Sequence, residues 1–460
     1  MTLLWKLSAA QLEQGYRSGA FSPVDALQAC LSRTAACQPL TNAFVALDTA
    51  GALEAARQSQ ARWQTGHPLG PLDGVPVSVK DNMHVAGMPT TWGSRLLQGF
   101  VPAQDELPVA RLRAGGAVIF GKTNLPEFAA QGYTHNALHG TTRNPWDTSL
   151  TPGGSSGGAV AAVSSGCGPL ALATDGGGSI RRPASHTGLV GFKPSGGLVA
   201  RGQGLPEIFL EYEVAGAIAR TVDDARQLTA LIAGQALAAP ARSARILHVS
   251  RLGISPVDPD ISMLVGTCAR NLAALGHKMR TSGEFVMADD INTQWPVLSQ
   301  TGLAAMFDSP DDGAQLPPLD ESLCTPAVQE MLRAGRAAPP QARAQLSAAI
   351  SALREQLAQL FQSTDFILTP AAAALPWPAA QTHPEYIAGH QAGPRGHAVF
   401  TAFANAAGLP AIALPAGFVR GMPAGFQLVG PPGADAWLLT LAADYEKAFS
   451  WAQYWPHLPA

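Results

Sequence analysis

Three side chains in this sequence have the type and setting for nucleophilic chemistry. Lys80 ends the alternating run Gly74-Val-Pro-Val-Ser-Val-Lys80 and is followed by Asp81-Asn82. Ser155 lies in Thr151-Pro-Gly-Gly-Ser-Ser-Gly-Gly158, and Ser179 follows three consecutive glycines in Ala173-Thr-Asp-Gly-Gly-Gly-Ser-Ile-Arg-Arg-Pro183. A serine hydroxyl is a poor nucleophile until a base takes its proton. A glycine run directly before it lets successive backbone N–H groups turn towards one point, as an oxyanion hole requires. A lysine at the end of a buried strand can be desolvated, which lowers its pKa and frees a neutral amine as base. From the residues alone a second reading stands level with this one: Lys80 caps a strand and the glycines only turn the chain. Gly153-Gly-Ser-Ser-Gly157 also fits G-x-S-x-G around Ser155, a weak match in a stretch so rich in Gly and Ser.

Two other matches are set aside. Gly116-Ala-Val-Ile-Phe-Gly121-Lys122-Thr123 fits G-x-x-x-x-G-K-[ST] letter for letter. A phosphate cradle needs the four intervening residues as a loop with free N–H groups, whereas Ala-Val-Ile-Phe reads as a strand. His135 and His139 stand four apart, but the Asn-Ala-Leu between them lacks the Glu of H-E-x-x-H, and Gly132 and Gly140 flank the pair. Two loop histidines are expected there, and no metal site.

The elements that must position these groups are partly legible. Ser8 with Gln11 reads as a capping box, and Ser22-Pro23-Val24-Asp25 supplies an N-cap, a first-turn Pro and an early acid, so two helices open the chain. The alternation of Val75, Val77 and Val79 predicts a half-buried strand, and Gly115–Gly121 a buried one. Residues 151 to 204 are the most glycine-dense, interleaved with small residues, which suggests backbone packed close to something else. From Leu346 the apolar positions Ile350, Leu353, Leu357 and Leu360 predict an amphipathic helix. Strand-like runs return at Asp365–Leu368 and Ala411–Leu414. With no internal repeat and no Ser/Gly linker, the chain reads as one large α/β domain with an inserted helical region.

Composition narrows the function classes. The 460 residues carry 30 Lys and Arg against 33 Asp and Glu, a formal net charge of −3. That balance, without basic clusters, argues against a nucleic-acid or anionic-membrane surface. The 47% of apolar residues is ample for a core and excludes disorder. The start, Met1-Thr-Leu-Leu-Trp-Lys6, turns polar at once, and no stretch reaches the ~18 apolar residues of a membrane span. Five cysteines, odd in number and without a C-x-x-C pair, argue against a disulfide framework or a thiolate zinc site. A cytoplasmic protein is expected.

Taken in order, these segments resemble the amidase signature family over most of the chain. Val79-Lys80-Asp81-Asn82 with Gly87 and Thr91-Trp-Gly-Ser94 resembles one family segment, and Gly121-Lys-Thr-Asn124 with Glu127-Phe-Ala129 the next, which accounts for the false phosphate loop. Gly140-Thr-Thr-Arg-Asn-Pro-Trp146, the Gly/Ser stretch through Gly191-Phe-Lys-Pro194, Gly408–Pro415 and Met422–Gly430 follow in family order. The resemblance implies one domain over 1–460, a central mixed β-sheet flanked by helices. Its catalytic core would span 65–235 and 365–445, with a variable helical substrate-side region at 240–360.

The resemblance also implies roles. Ser179 would be the acylated nucleophile, Ser155 the proton relay beside a cis Gly154–Ser155 peptide, and Lys80 the final base; Ser156 is the rival for the relay. The N–H groups of Gly176, Gly177, Gly178 and Ser179 would hold the oxyanion. The family often has a larger residue where Gly176 stands, so a looser loop or a roomier acyl pocket is expected. Substrate contacts are expected from 125–135, at Phe128, Gln131, Gly132 and Tyr133, with Phe209, Tyr212, Trp295 and Phe307 as aromatic candidates.

The leading expectation is a stand-alone hydrolase of a small aliphatic or aryl amide, carbamate or ester. It would need no cofactor or metal, and its partners would be a small-molecule amide substrate and a second copy of the chain, with neither nucleic acid nor membrane. The alternative is the glutamine-hydrolysing A subunit of a tRNA-dependent amidotransferase. Such subunits usually carry an Ala-Arg-Tyr-Asp-Gly segment, absent between 285 and 345, and an acid near Thr401 and Asn405, where this chain has Ala398.

Overall fold

The strand that ends in Lys80 lies inside a mixed sheet of eleven strands among the described residues. The computed structural model describes residues 3–282, 285–309 and 316–458, so Met1 and Thr2 of the polar start lie outside them. From one edge the strand order is Phe44–Leu47, Val118–Thr123, Pro76–Lys80, Leu170–Asp175, Val214–Ala219, Val190–Lys193, Ala411–Val419, Met422–Val429, Phe366–Pro370, Arg245–Val249 and Lys278–Ser282. Pro76–Lys80 runs parallel to both neighbours, with Val79 beside Lys122 on one side and Leu172 on the other. The strands from Leu170 through Phe366 pair antiparallel. Helices pack on both faces around two large apolar clusters, one containing Val77 and Val79 and the other Trp295 and Phe400.

All five residues of Pro76–Lys80 are buried, which corrects the half-buried strand expected from its alternation. A parallel strand between two others is covered on both faces, so Ser78 is shut in as fully as Val77 and Val79. The false phosphate loop is the buried strand Val118–Thr123. His135 and His139 belong to a small hairpin, with His135 exposed and His139 Nε2 3.1 Å from Thr91 Oγ1.

Both opening helices, Ala9–Ser18 and Pro23–Thr41, form with complete capping boxes at Ser8/Gln11 and Ser22/Asp25. The amphipathic helix is Ala342–Leu360, burying Leu346, Ile350, Leu353 and Leu357. Between 240 and 360 the chain adds the last two strands of the sheet, Arg245–Val249 and, at the edge, Lys278–Ser282, and the helices Pro259–Ala274, Asp289–Asp308, Pro326–Ala337 and Ala342–Leu360. All five cysteines are free and buried. Among the described residues no helix is long and apolar enough to cross a membrane.

The glycine-dense stretch is packed as its composition predicts. A Cβ on Gly158, at the start of the buried helix Gly157–Ser164, would collide with the backbone of Asn124 and Ala43. At Gly154 it would collide with the backbone of Tyr133. Each glycine thus lets the Ser155 loop lie directly on the segment that follows Val118–Thr123.

Candidate active site

Lys80 and Thr174 stand at the carboxyl ends of adjacent parallel strands, where side chains leave the sheet together. Lys80 Nζ donates to Ser155 Oγ at 2.8 Å and to Thr174 Oγ1 at 3.0 Å. Asn82 Nδ2 donates to the same Thr174 oxygen at 2.9 Å. Burial pulls the Lys80 ammonium down to about 8, against the opposite pull of Glu213 and Asp175. The Gly154–Ser155 peptide is cis, as the family resemblance implies. Ser156, the rival relay, turns its hydroxyl away to donate to Thr174 O at 3.2 Å.

Ser179 lies across from this pair, and Ser156 N donates to Ser179 O at 3.2 Å, tying the two serine loops together. Ser179 is the most open of the three groups: 8% exposed, against 1% for Ser155 and 0% for Lys80. It lines a cavity of about 670 Å³.

The glycine loop before Ser179 is oriented by what grips its carbonyls. In a trans peptide the C=O and the following N–H point in opposite directions. Asn405 Nδ2 holds Asp175 O at 2.8 Å, Trp295 Nε1 holds Gly176 O at 3.1 Å, and Thr401 Oγ1 holds Gly177 O at 2.7 Å together with Arg182 Nη1. Arg182 N takes Gly178 O at 3.0 Å. These grips aim the N–H groups of Gly176, Gly177, Gly178 and Ser179 in turn. Gly178 proves unsuited to the oxyanion role expected of it, because its N–H donates to Asp175 Oδ1 at 2.6 Å. The N–H groups of Gly176, Gly177 and Ser179 have no partner among the described residues, and these three residues line the cavity.

Asp175 is the anchor of this loop. Its buried carboxylate accepts from Gly178 N, from Ile180 N at 3.1 Å, and from Arg181 Nε and Nη2 at 3.0 and 2.9 Å. Burial alone would raise its pKa, but Arg181 overcomes this and holds it well below the usual carboxylate range. Sequence reasoning misses Thr174, Asp175, Arg181, Thr401 and Asn405 as site residues. The separation of Arg181 from Asn405 along the chain leaves no spacing signal for their 2.6 Å bond.

Gln131, Gly132 and Tyr133 line the cavity, as expected from the segment after the second motif. Phe128 does not: it is fully buried, packed edge-on against Trp92 and Phe307. Phe209 and Trp295 reach the cavity wall, and Tyr212 and Phe307 lie outside it. Trp295 is buried and acts chiefly as the donor to Gly176. The space freed by glycine at 176 is taken up by Phe209, whose ring a Cβ there would meet at 3.2 Å. The expected roomier pocket is therefore not found at this point.

Likeness to known proteins places the chain. The family model described as Amidase matches residues 25–439. The A subunit of a glutamyl-tRNA(Gln) amidotransferase from Symbiobacterium thermophilum is 32% identical over 480 aligned residues, covering 96% of each chain. Its counterpart from Acidothermus cellulolyticus is 47% identical over 234 residues, 51% of this chain and 46% of its own. Among solved structures, a bacterial aryl acylamidase of the amidase signature family superposes with a TM-score of 0.88 at 26% identity, covering 99% of both chains. A crystal structure of an amidase gives 0.86 at 30%, covering 96% of this chain and 100% of its own. The full-length relatives, named as A subunits of an amidotransferase, overturn the expectation of a stand-alone hydrolase of small aliphatic or aryl amides, and with it the expected partners, a small amide and a second copy of the chain. The matched motifs, the eleven-stranded sheet and these relatives agree that the chain belongs to the amidase signature family, whose members are hydrolases acting on amides.

Proposed function

We propose that this protein releases ammonia from the side-chain carboxamide of glutamine, as the A subunit of a tRNA-dependent amidotransferase acting with partner subunits in the cytoplasm. The full-length likeness to A subunits carries this reading. The site supports the chemistry through the 2.8 Å contact between a desolvated lysine and Ser155, behind a cavity onto which Ser179 opens.

In this reading Ser179 Oγ attacks the carboxamide carbon while its proton passes to Ser155 Oγ, and the Ser155 proton passes to neutral Lys80 Nζ. The carbonyl oxygen becomes an oxyanion facing the N–H groups of Gly176, Gly177 and Ser179. The Lys80 ammonium returns its proton through Ser155 to the leaving nitrogen. The C–N bond breaks, ammonia departs, and a γ-glutamyl ester remains on Ser179. Water then attacks the ester with the same relay as base, and glutamate leaves.

Ammonia release from L-glutamine, followed by a coupled glutamate dehydrogenase assay with and without co-purified partner subunits, tests the reading. Release that depends on Ser179 and Lys80 supports it. A folded protein that leaves glutamine intact in both settings contradicts it.

A further inference from the structure

Behind Lys80 runs a chain of buried polar groups that the acyl-transfer steps do not use. Thr174 Oγ1 accepts from Lys80 Nζ at 3.0 Å and from Asn82 Nδ2 at 2.9 Å, and Asn82 Nδ2 also donates to Glu213 Oε1 at 3.4 Å. Arg201 Nη1 donates to Glu213 Oε2 at 3.2 Å, and Arg201 Nε to Glu106 Oε1 at 2.7 Å. The side chains of Glu106, Glu213 and Arg201 are only 1%, 8% and 10% exposed, so water does little to screen them. Gly204 makes room for this pairing, because a Cβ there would meet the Glu106 carboxyl carbon at 2.7 Å.

The other charges around the amine are committed or screened. Asp175, on the neighbouring strand, is held by Arg181 at 2.9 Å with Lys193 close by. Asp81, the next residue of the chain, pairs with Lys122 of the strand on the other side at 3.1 Å. The helix Gly157–Ser164 and the strand Val214–Ala219 carry no charged side chain. Glu207 and Glu211 are exposed. Burial pulls the His84 imidazole down, so it stays neutral beside Glu106 and Arg201. Burial also disfavours the Lys80 ammonium; Glu213 and Asp175 favour it, and Arg201 opposes them. A lone carboxylate facing the amine in so dry a place would hold it protonated and useless as a base. Paired with a guanidinium, the same carboxylate presents a dipole, whose field falls off faster with distance.

We propose that Arg201 and Glu213 are positioning residues that act through Lys80: Arg201 cancels the carboxylate that faces the amine across Asn82 and Thr174, and so keeps the amine free to serve as a base near neutral pH. This rests on the Lys80–Ser155–Ser179 relay of the proposed function, and not on glutamine as its substrate.

Fluorophosphonate labelling of Ser179 reads the relay without an amide substrate. In the full-length protein its rate should rise with pH through the titration of Lys80. Glu213 packs beside the glycine loop, where a Cβ on Gly176 would meet its Cβ at 3.4 Å, so the variant of equal shape, Glu213→Gln, is the one to make. Its midpoint should fall by about one pH unit, and that of Arg201→Gln should rise by a similar amount. Arg201→Lys, which keeps the charge, should bring the midpoint back towards that of the unaltered protein. Structural damage would lower the plateau rate and leave the midpoint in place. Glu213→Gln keeps the Arg201–Glu106 pair, so it carries the test alone if Arg201→Gln does not fold. A midpoint unmoved in Glu213→Gln, or moved in the same direction in both variants, overturns the inference. The predicted shifts in a protein that leaves glutamine intact would defeat the glutamine reading and keep the inference. An unaltered protein whose Ser179 takes no label overturns the relay and the inference together.

Discussion

Lys80 Nζ lies 2.8 Å from Ser155 Oγ with Thr174 Oγ1 3.0 Å away on its other side, so the buried amine has two hydroxyl partners and no direct carboxylate. Burial therefore wins over the more distant Glu213 and Asp175, and its pKa falls to about 8. The neutral amine is the working base, so kcat/KM should rise with pH through a midpoint near 8. Thr174→Val removes an acceptor that favours the ammonium, and should move this limb to lower pH. A pH–rate profile of both proteins checks it; a limb that stays put in the variant speaks against Lys80 as its source.

The two adjacent serines should separate cleanly. Ser155→Ala breaks the path from Ser179 to Lys80 and should lower kcat/KM by at least about a thousandfold. Ser156→Ala removes only a bond to Thr174 O, and should cost less than about tenfold. Steady-state kinetics on both variants decide which hydroxyl relays.

Much of this site is legible in the sequence because its motifs are local. Lys80, Ser155 and Ser179 each sit in a short segment whose glycines or strand alternation announce the setting. The supports are not legible, for a physical reason. Trp295 comes from a helix in the region without motifs, Thr401 and Asn405 from a short helix near the end, and they meet only across the folded cavity. Phe128 departs from its expected place because a motif residue beside the pocket can point into the core as readily as into the cavity. Gly178 departs from its expected role because a run of glycines does not say which N–H a neighbouring carboxylate will take. The half-buried reading of Pro76–Lys80 fails because Ser78 mimics a solvent-facing position that two parallel neighbours cover.

Trp295 should act as a positioning residue. Trp295→Phe keeps an aromatic ring, though a smaller one, and loses the Nε1 donor to Gly176 O, releasing the peptide that aims the Gly177 N–H. An interaction felt mainly in the transition state should appear in kcat, which should fall about tenfold, with KM changed less. An equal loss in KM alone would mean that Trp295 only shapes the cavity.

Away from the site, Glu446 and Asp224 are acids pushed up by burial to about 7 and about 6. Unfolded Glu446 titrates near 4.5, so between 4.5 and about 7 the folded state holds a proton that the unfolded state has lost, and stability falls as pH rises. Glu446→Gln keeps an oxygen to accept from Val222 N and removes the charge. The variant should be more stable than the unaltered protein at pH 8, by up to about 2 kcal/mol, and equal to it at pH 4. Thermal melts across that range check both the sign and the window.

The most direct measurement is a rapid acid quench of the protein with isotopically labelled glutamine, followed by peptide mass spectrometry. The labelled γ-glutamyl group should be found as an ester on Ser179, absent in Ser179→Ala and strongly reduced in Lys80→Ala. Label on another residue, or ammonia released at full rate with Ser179 removed, would contradict the acyl-enzyme at this serine.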